Sequence, residues 1–138
     1  MRISKILATL TTIALAAAPA SAAVASPLDK REDGCYKSGL TYSEITWDRN
    51  AIANARDEAC CALAGDYPGE TQRHWCKQFH HWKHINFTAR NWFKRKQHLH
   101  VEDCISVLTI EMDACARGSW KWNGDAFYFG SDPNVGIC

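Results

Sequence analysis

Between Thr71 and Val101 the chain has no aspartate and no glutamate. Other absences narrow the field further. After Ile6–Ala18 there is no second long apolar run, which excludes a membrane-spanning helix from the remainder. No Cys-x-x-Cys pair has a matching second pair, which argues against a structural zinc site. No Gly-x-Ser-x-Gly occurs, so the nucleophile elbow of the α/β-hydrolases is missing. There is no internal repeat and no interdomain linker, which points to a single domain.

What is present begins with a leader. Met1-Arg2-Ile3-Ser4-Lys5 is a short basic start, Ile6–Ala18 an uncharged apolar run, and Ala20-Ser21-Ala22 a small-x-small cleavage signal. This pattern predicts a secretory signal peptide over residues 1–22. Lys30-Arg31 is a dibasic pair where composition changes from Ala/Ser/Pro to cysteine and aromatics. It predicts a propeptide over 23–31 and a single cysteine-rich domain over 32–138. Loss of the leader lowers Lys plus Arg from 16 to 12 and Asp plus Glu from 15 to 14, so the net charge moves from +1 to −2. The domain is expected to be extracellular, with uptake into other cells left open. A core of this size is small, and secreted domains of such length usually add disulfides.

Cys35, Cys60, Cys61, Cys76, Cys104, Cys115 and Cys138 all lie in that domain. An oxidising route makes disulfides the default, and an odd count leaves one thiol over. Cys104 and Cys115 fall on one predicted helix, roughly 16 Å apart at 1.5 Å per residue, too far to pair. Cys60 lies near the apolar face of another helix and Cys61 about 100° further round it, so Cys61 is the expected spare. The other six allow 15 pairings, and spacing alone does not choose among them. A monomer is expected, with dimerisation through Cys61 as the alternative.

Element by element, Cys35–Tyr42 reads as a short strand and Thr46–Ala64 as a helix with Ile52, Ala55, Ala59, Ala62 and Leu63 on one face. Gly65 suits its C-cap, and Asp66-Tyr67-Pro68-Gly69 a turn. Trp75–Trp82 and Ile85–Phe93 read as strands. Val101–Ala116 is the clearest helix, with Val101, Cys104, Ile105, Leu108, Met112 and Cys115 on one stripe. Trp120–Trp122 and Ala126–Phe129 read as a hairpin around Asn123-Gly124. The expected fold is α+β, two helices packed on an antiparallel sheet.

The acid-free stretch holds Arg73, Lys77, Lys83, Arg90, Lys94, Arg95 and Lys96, all six histidines, and Trp75, Phe79, Trp82, Phe87, Trp92 and Phe93. Cations attract phosphates or acidic polymers, and aromatic faces stack on bases or sugars. An anion-binding face is one reading; two amphipathic strands with aromatics inward and cations solvated is the other. Trp75, Phe79 and Trp82 do not keep one strand parity, so at least one is expected to face outward. The six imidazoles would add charge in an acidic medium. His80 with His84, or His98 with His100, could share a strand face, but without carboxylate or thiolate help they make a weak metal site, so no metal and no cofactor is expected. Lys94-Arg95-Lys96 reads either as a nuclear localisation signal or as a solvated hairpin tip. Asn86-Phe87-Thr88 is a glycosylation sequon, with Asn86 expected to be exposed. Catalysis has thin support. A small secreted ribonuclease would need a carboxylate, a histidine acid and a phosphate-binding cation. His98 or His100, Glu102 and Arg90 supply the types without a recognisable arrangement.

Gly34-Cys35-Tyr36-Lys37-Ser38-Gly39 and Phe127 through Asp132-Pro133-Asn134-Val135-Gly136-Ile137-Cys138 resemble the opening and closing motifs of a family of small secreted cysteine-rich proteins of filamentous fungi. Ala59-Cys60, Ala64-Gly65-Asp66-Tyr67 and the eleven-residue step from Cys104 to Cys115 fit the same pattern. That step also resembles the smut-fungus killer toxins of the killer protein 4 type. Cys61 departs from the pattern, which has one cysteine there. The resemblance implies an α/β sandwich and the pairs Cys60–Cys104, Cys35–Cys115 and Cys76–Cys138. It further implies an effector, toxin or antimicrobial protein that acts on a host or competitor cell, and it supplies no catalytic motif.

Overall fold

The computed structural model describes residues 34–80 and 82–138, which belong to one compact unit spanning 31–138. The signal peptide, all of the 23–31 propeptide with its Lys30-Arg31 site, and His81 lie outside the described residues.

Strand β1 is Gly34–Cys35 only, shorter than the expected Cys35–Tyr42. The chain turns into a one-turn helix, α1 (Tyr42–Ile45), because Thr41 and Glu44 form a capping box. The Thr41 hydroxyl accepts from the Glu44 amide at 3.3 Å, and the Glu44 carboxylate accepts from the Thr41 amide at 2.7 Å. Helix α2 (Arg49–Leu63) begins three residues later than expected, where the Asp48 carboxylate accepts from the Asn50 amide at 2.9 Å. Its buried face is Ala55, Ala59, Cys60 and Leu63; Ala62 is exposed, and Cys60 takes the place expected for it.

Asp66 and Tyr67 belong to β2 (Gly65–Tyr67) rather than to the turn, which falls at Gly69-Glu70. Next come β3 (Gln72–His80), β4 (Lys83–Asn91), β5 (Gln97–Leu99), α3 (Val101–Ala114), β6 (Ser119–Trp122) and β7 (Phe127–Val135). Trp82 falls in the β3–β4 turn and Phe93 beyond β4. β7 runs six residues past the expected end at Phe129, so the closing Asp132-Pro133-Asn134 is strand. Pro133 is tolerated there because β6 pairs with β7 only up to Ser131, which leaves one side of the strand without a ladder.

The fold is α+β. Five antiparallel strands in the order β1-β6-β7-β4-β3 form the main sheet, and β2 and β5 form a two-stranded ladder. The helices cover one face of the main sheet. Strand alternation sends Ile85, Phe87 and Ala89 of β4 and Phe127 and Phe129 of β7 inward. They meet Ile45, Ala55, Ala59, Leu63, Cys104 and Leu108 from the helices, with Tyr67 and Leu99 closing the side. Each large side chain buried there contributes about 1.5–3 kcal/mol. Polar atoms in the core are paired: the Ser119 hydroxyl donates to Glu111 at 2.8 Å, and the Tyr42 and Ser131 hydroxyls meet at 2.5 Å. Burial pushes the Tyr42 phenol well above its usual range.

Three disulfides staple this arrangement. Cys35–Cys115 ties β1 to the end of α3, Cys60–Cys104 ties α2 to α3, and Cys76–Cys138 ties β3 to the C-terminal residue. These are the pairs the family resemblance implies. Cys61 is free and exposed.

Candidate functional site

The seven cations of the acid-free stretch do not share one surface. Lys77 pairs with Glu58 of α2 at 2.6 Å, and the Lys83 ammonium donates to the Glu44 carbonyl at 2.6 Å. Arg73 donates to the carbonyls of Asp66 (2.6 Å) and Ala64 (3.3 Å) and lies 4.3 Å from the centre of the Tyr67 ring. These three staple the sheet to its surroundings. Lys94, Arg95 and Lys96 come together on the loop between β4 and β5, all exposed. Arg90 lies at the end of β4, its guanidinium 5.3 Å from the centre of the Trp92 ring.

The loop carrying Lys94–Lys96 is held from below by Asn91, which is fully buried. The Asn91 amide donates to the carbonyls of Tyr67 (3.3 Å), Pro68 (3.1 Å) and Arg95 (2.8 Å), and its oxygen accepts from the Phe93 amide at 2.9 Å. Gly69 lets the loop sit close: a Cβ at that position would strike the Lys94 carbonyl. The Glu70 amide donates to the Phe93 carbonyl at 2.9 Å, and Arg95 lies over the Phe93 ring. The cationic tip is therefore a placed feature of the fold.

Beside it, Asp66 of β2 receives Lys96 at 2.6 Å and His98 of β5 at 2.7 Å. Its hydrogen bond to Lys96, then that to His98, lower its carboxyl to about 2. His100 stacks edge-on against His98 with ring centres 4.7 Å apart. Of the residue types a ribonuclease would use, His98 takes Asp66 as its carboxylate, and Arg90 stands on the main sheet with Trp92. No group of three or more His, Cys, Asp or Glu that could hold a metal ion occurs among the described residues.

Sequence reasoning missed a second feature. The main-sheet face opposite the helices is covered by no helix among the described residues, and strand alternation places Trp120, Trp122, Tyr128 and Arg90 on it. Trp92 follows Arg90 in the same parity. Tyr128 is the centre of this cluster: its ring lies 5.2 Å from Trp92 and 5.5 Å from Trp120, the latter nearly parallel at 15°. Trp122 is the cross-strand partner of Tyr128, and its indole N–H donates to the Asp125 carbonyl at 2.7 Å. Gly130, opposite Trp120, makes room for the indole, since a Cβ there would sit 2.7 Å from the Trp120 ring. The outward aromatic expected near Trp75, Phe79 and Trp82 is Trp82, 67 % exposed, whereas Trp75 and Phe79 pack against the core.

Asn86 also lies on the helix-free face. It is half-buried, not exposed as the sequon suggested, because it sits mid-strand in β4 between β3 and β7. Its amide nitrogen is 3.1 Å from the His84 ring.

No protein-family model matches the chain, and no match was found among curated proteins.

Proposed function

We propose that this is a secreted, disulfide-stapled effector or killer-like toxin that acts by binding a host or competitor cell. The observation that carries this reading is the cysteine framework. Of the 15 pairings open to six cysteines, the structure holds Cys35–Cys115, Cys60–Cys104 and Cys76–Cys138, the three implied by the resemblance to small secreted cysteine-rich fungal proteins. Three disulfides are consistent with an oxidising, extracellular setting, and no described helix is long and apolar enough to cross a membrane. The loop of Lys94, Arg95 and Lys96 is the contact surface this reading favours, and an anionic surface or polymer is the partner its charge fits. Purified protein applied to plant cells and to competing fungi tests the reading. Growth arrest or cell death in either supports it, and inertness towards both counts against it.

One observation favours a hydrolytic alternative: the His98–Asp66 pair, a histidine oriented by a carboxylate, next to His100. Digestion of RNA by wild-type protein but not by a His98→Ala/His100→Ala variant would support a ribonuclease; equal digestion by both would remove it.

A further inference from the structure

We propose that the helix-free face of the main sheet is a binding platform for a neutral polysaccharide. The inference names a ligand class and a surface beyond the cationic loop, and it does not depend on that loop. Two groups of side chains support it. Trp92 and Trp122, 51 % and 44 % exposed, flank Tyr128 and present aromatic faces along one end of the sheet. Such faces stack on the apolar faces of sugar rings as they do on bases. The rest of the face is polar and already ordered. Gln72, His74 and Thr88 form a hydrogen-bonded chain across β3 and β4, with steps of 2.7 and 2.9 Å. Asn134 and Asp132 of β7 stand opposite His84 and Asn86 of β4. Thr88 and His84 are buried, but Gln72, His74, Asn86 and Asn134 reach solvent and can donate to or accept from sugar hydroxyls, and the Asp132 carboxylate can accept. Groups held in place by the sheet also lose little entropy on binding.

Charge selects the ligand. At the outward positions of the paired strands β3, β4, β6 and β7, Arg90 is the one arginine or lysine and Asp132 the one carboxylate. A single-stranded nucleic acid needs a track of cations under its phosphates, and this face lacks one. A nearly neutral, flat, hydroxyl-compatible surface fits an uncharged glycan chain.

The test is a pull-down of secreted protein on insoluble chitin, cellulose and β-1,3-glucan, at about 0.1 M and about 1 M salt, the latter screening charges within about 3 Å. An Asn86→Gln form is run in parallel, because a glycan at Asn86 would lie on the same face. Retention on at least one polysaccharide, unchanged by salt, is expected. Trp92→Ala and Trp122→Ala should each weaken retention by about tenfold, the loss of one stacking face. Trp47→Ala, an exposed tryptophan of the helical layer, should not. Thermal unfolding verifies the fold of each variant, and Trp92→Tyr and Trp122→Tyr should restore retention. Lys94→Glu/Arg95→Glu should leave polysaccharide retention intact, so that failure of the cationic loop and failure of the platform are read separately. No retention by either parent form overturns the proposal. So does equal loss in Trp47→Ala, or elution by salt together with competition by single-stranded RNA.

Discussion

Cys60 and Cys104 join the two long helices at a Cα–Cα distance of 5.6 Å, both fully buried, while Cys61, one residue on, faces solvent. A disulfide typically contributes about 2–4 kcal/mol, a large share of the 5–15 kcal/mol that is the usual whole stability of a domain. Cys60→Ser and Cys104→Ser should therefore lose about that much in urea unfolding and should be poorly secreted. Cys61→Ser should stay within about 0.5 kcal/mol of wild type, as exposed substitutions do, and should abolish any disulfide-linked dimer on a non-reducing gel. Equal damage from all three would show that Cys61 is not the spare.

Asn91 makes four hydrogen bonds from a fully buried position, three of them to the carbonyls of Tyr67 at the end of β2, Pro68 just beyond it and Arg95 of the cationic loop. Truncation leaves those groups without their partner, at about 1–3 kcal/mol. Asn91→Ala should destabilise the domain by at least that amount. It should also speed tryptic cleavage after Lys94, Arg95 and Lys96 before global unfolding begins. A variant as stable and as protease-resistant as wild type would mean that the loop is held by other contacts.

Asp66 gives a pH signature whose sign is fixed. Its folded value, about 2, lies below the ordinary 3.8 because Lys96 and His98 hydrogen-bond to the carboxylate. A depressed carboxyl contributes stability that is fully present above the unfolded value and is lost as pH falls through the folded one. The loss therefore falls between pH 3.8 and about 2. Lys96→Ala should move the Asp66 carboxyl titration, followed by NMR, up toward 3.8, and His98→Ala should move it less. If neither substitution moves it, the pairing at Asp66 is not what sets its acidity.

Much of the fold was legible in the chain. Helix α3 starts where Val101 begins the apolar stripe, and the β3–β4 and β6–β7 hairpins follow β-rich runs broken by turn residues. Helix α1 was legible but overlooked: Thr41-x-x-Glu44 is a capping-box sequence, masked by an extended reading of Cys35–Tyr42. The β2–β5 ladder was not legible, since strands of three residues carry no periodicity and pair 32 positions apart, as Asp66 does with His98. The same limit hid the two surfaces. The acid-free stretch gathers seven cations in sequence, but the partners of Arg73, Lys77, Lys83 and Lys96 come from Ala64, Asp66, Glu58 and Glu44, which only tertiary structure brings near. The aromatic cluster needs the register that sets Trp122 against Tyr128 and brings Trp92 in from just beyond the end of β4.

The cationic loop makes the last prediction. Lys94 and Arg95 are exposed, and among the described residues neither forms an ion pair like the one Lys96 makes with Asp66. Charge reversal at these two positions should therefore spare the fold, whereas reversal at Lys96 would also break a pair. Exposed charges act over about 10 Å at 0.1 M salt and over about 3 Å at 1 M. If the loop is the anion-binding surface, wild-type protein should be retained on heparin and on anionic phospholipid vesicles at low salt and should elute steeply as salt rises. Lys94→Glu/Arg95→Glu should elute at clearly lower salt with an unchanged unfolding curve. Lys77→Ala should elute like wild type, because that ammonium is already paired with Glu58. Identical elution of wild type and the double variant would reduce the loop to solvated surface and leave the target to be sought on the helix-free face alone.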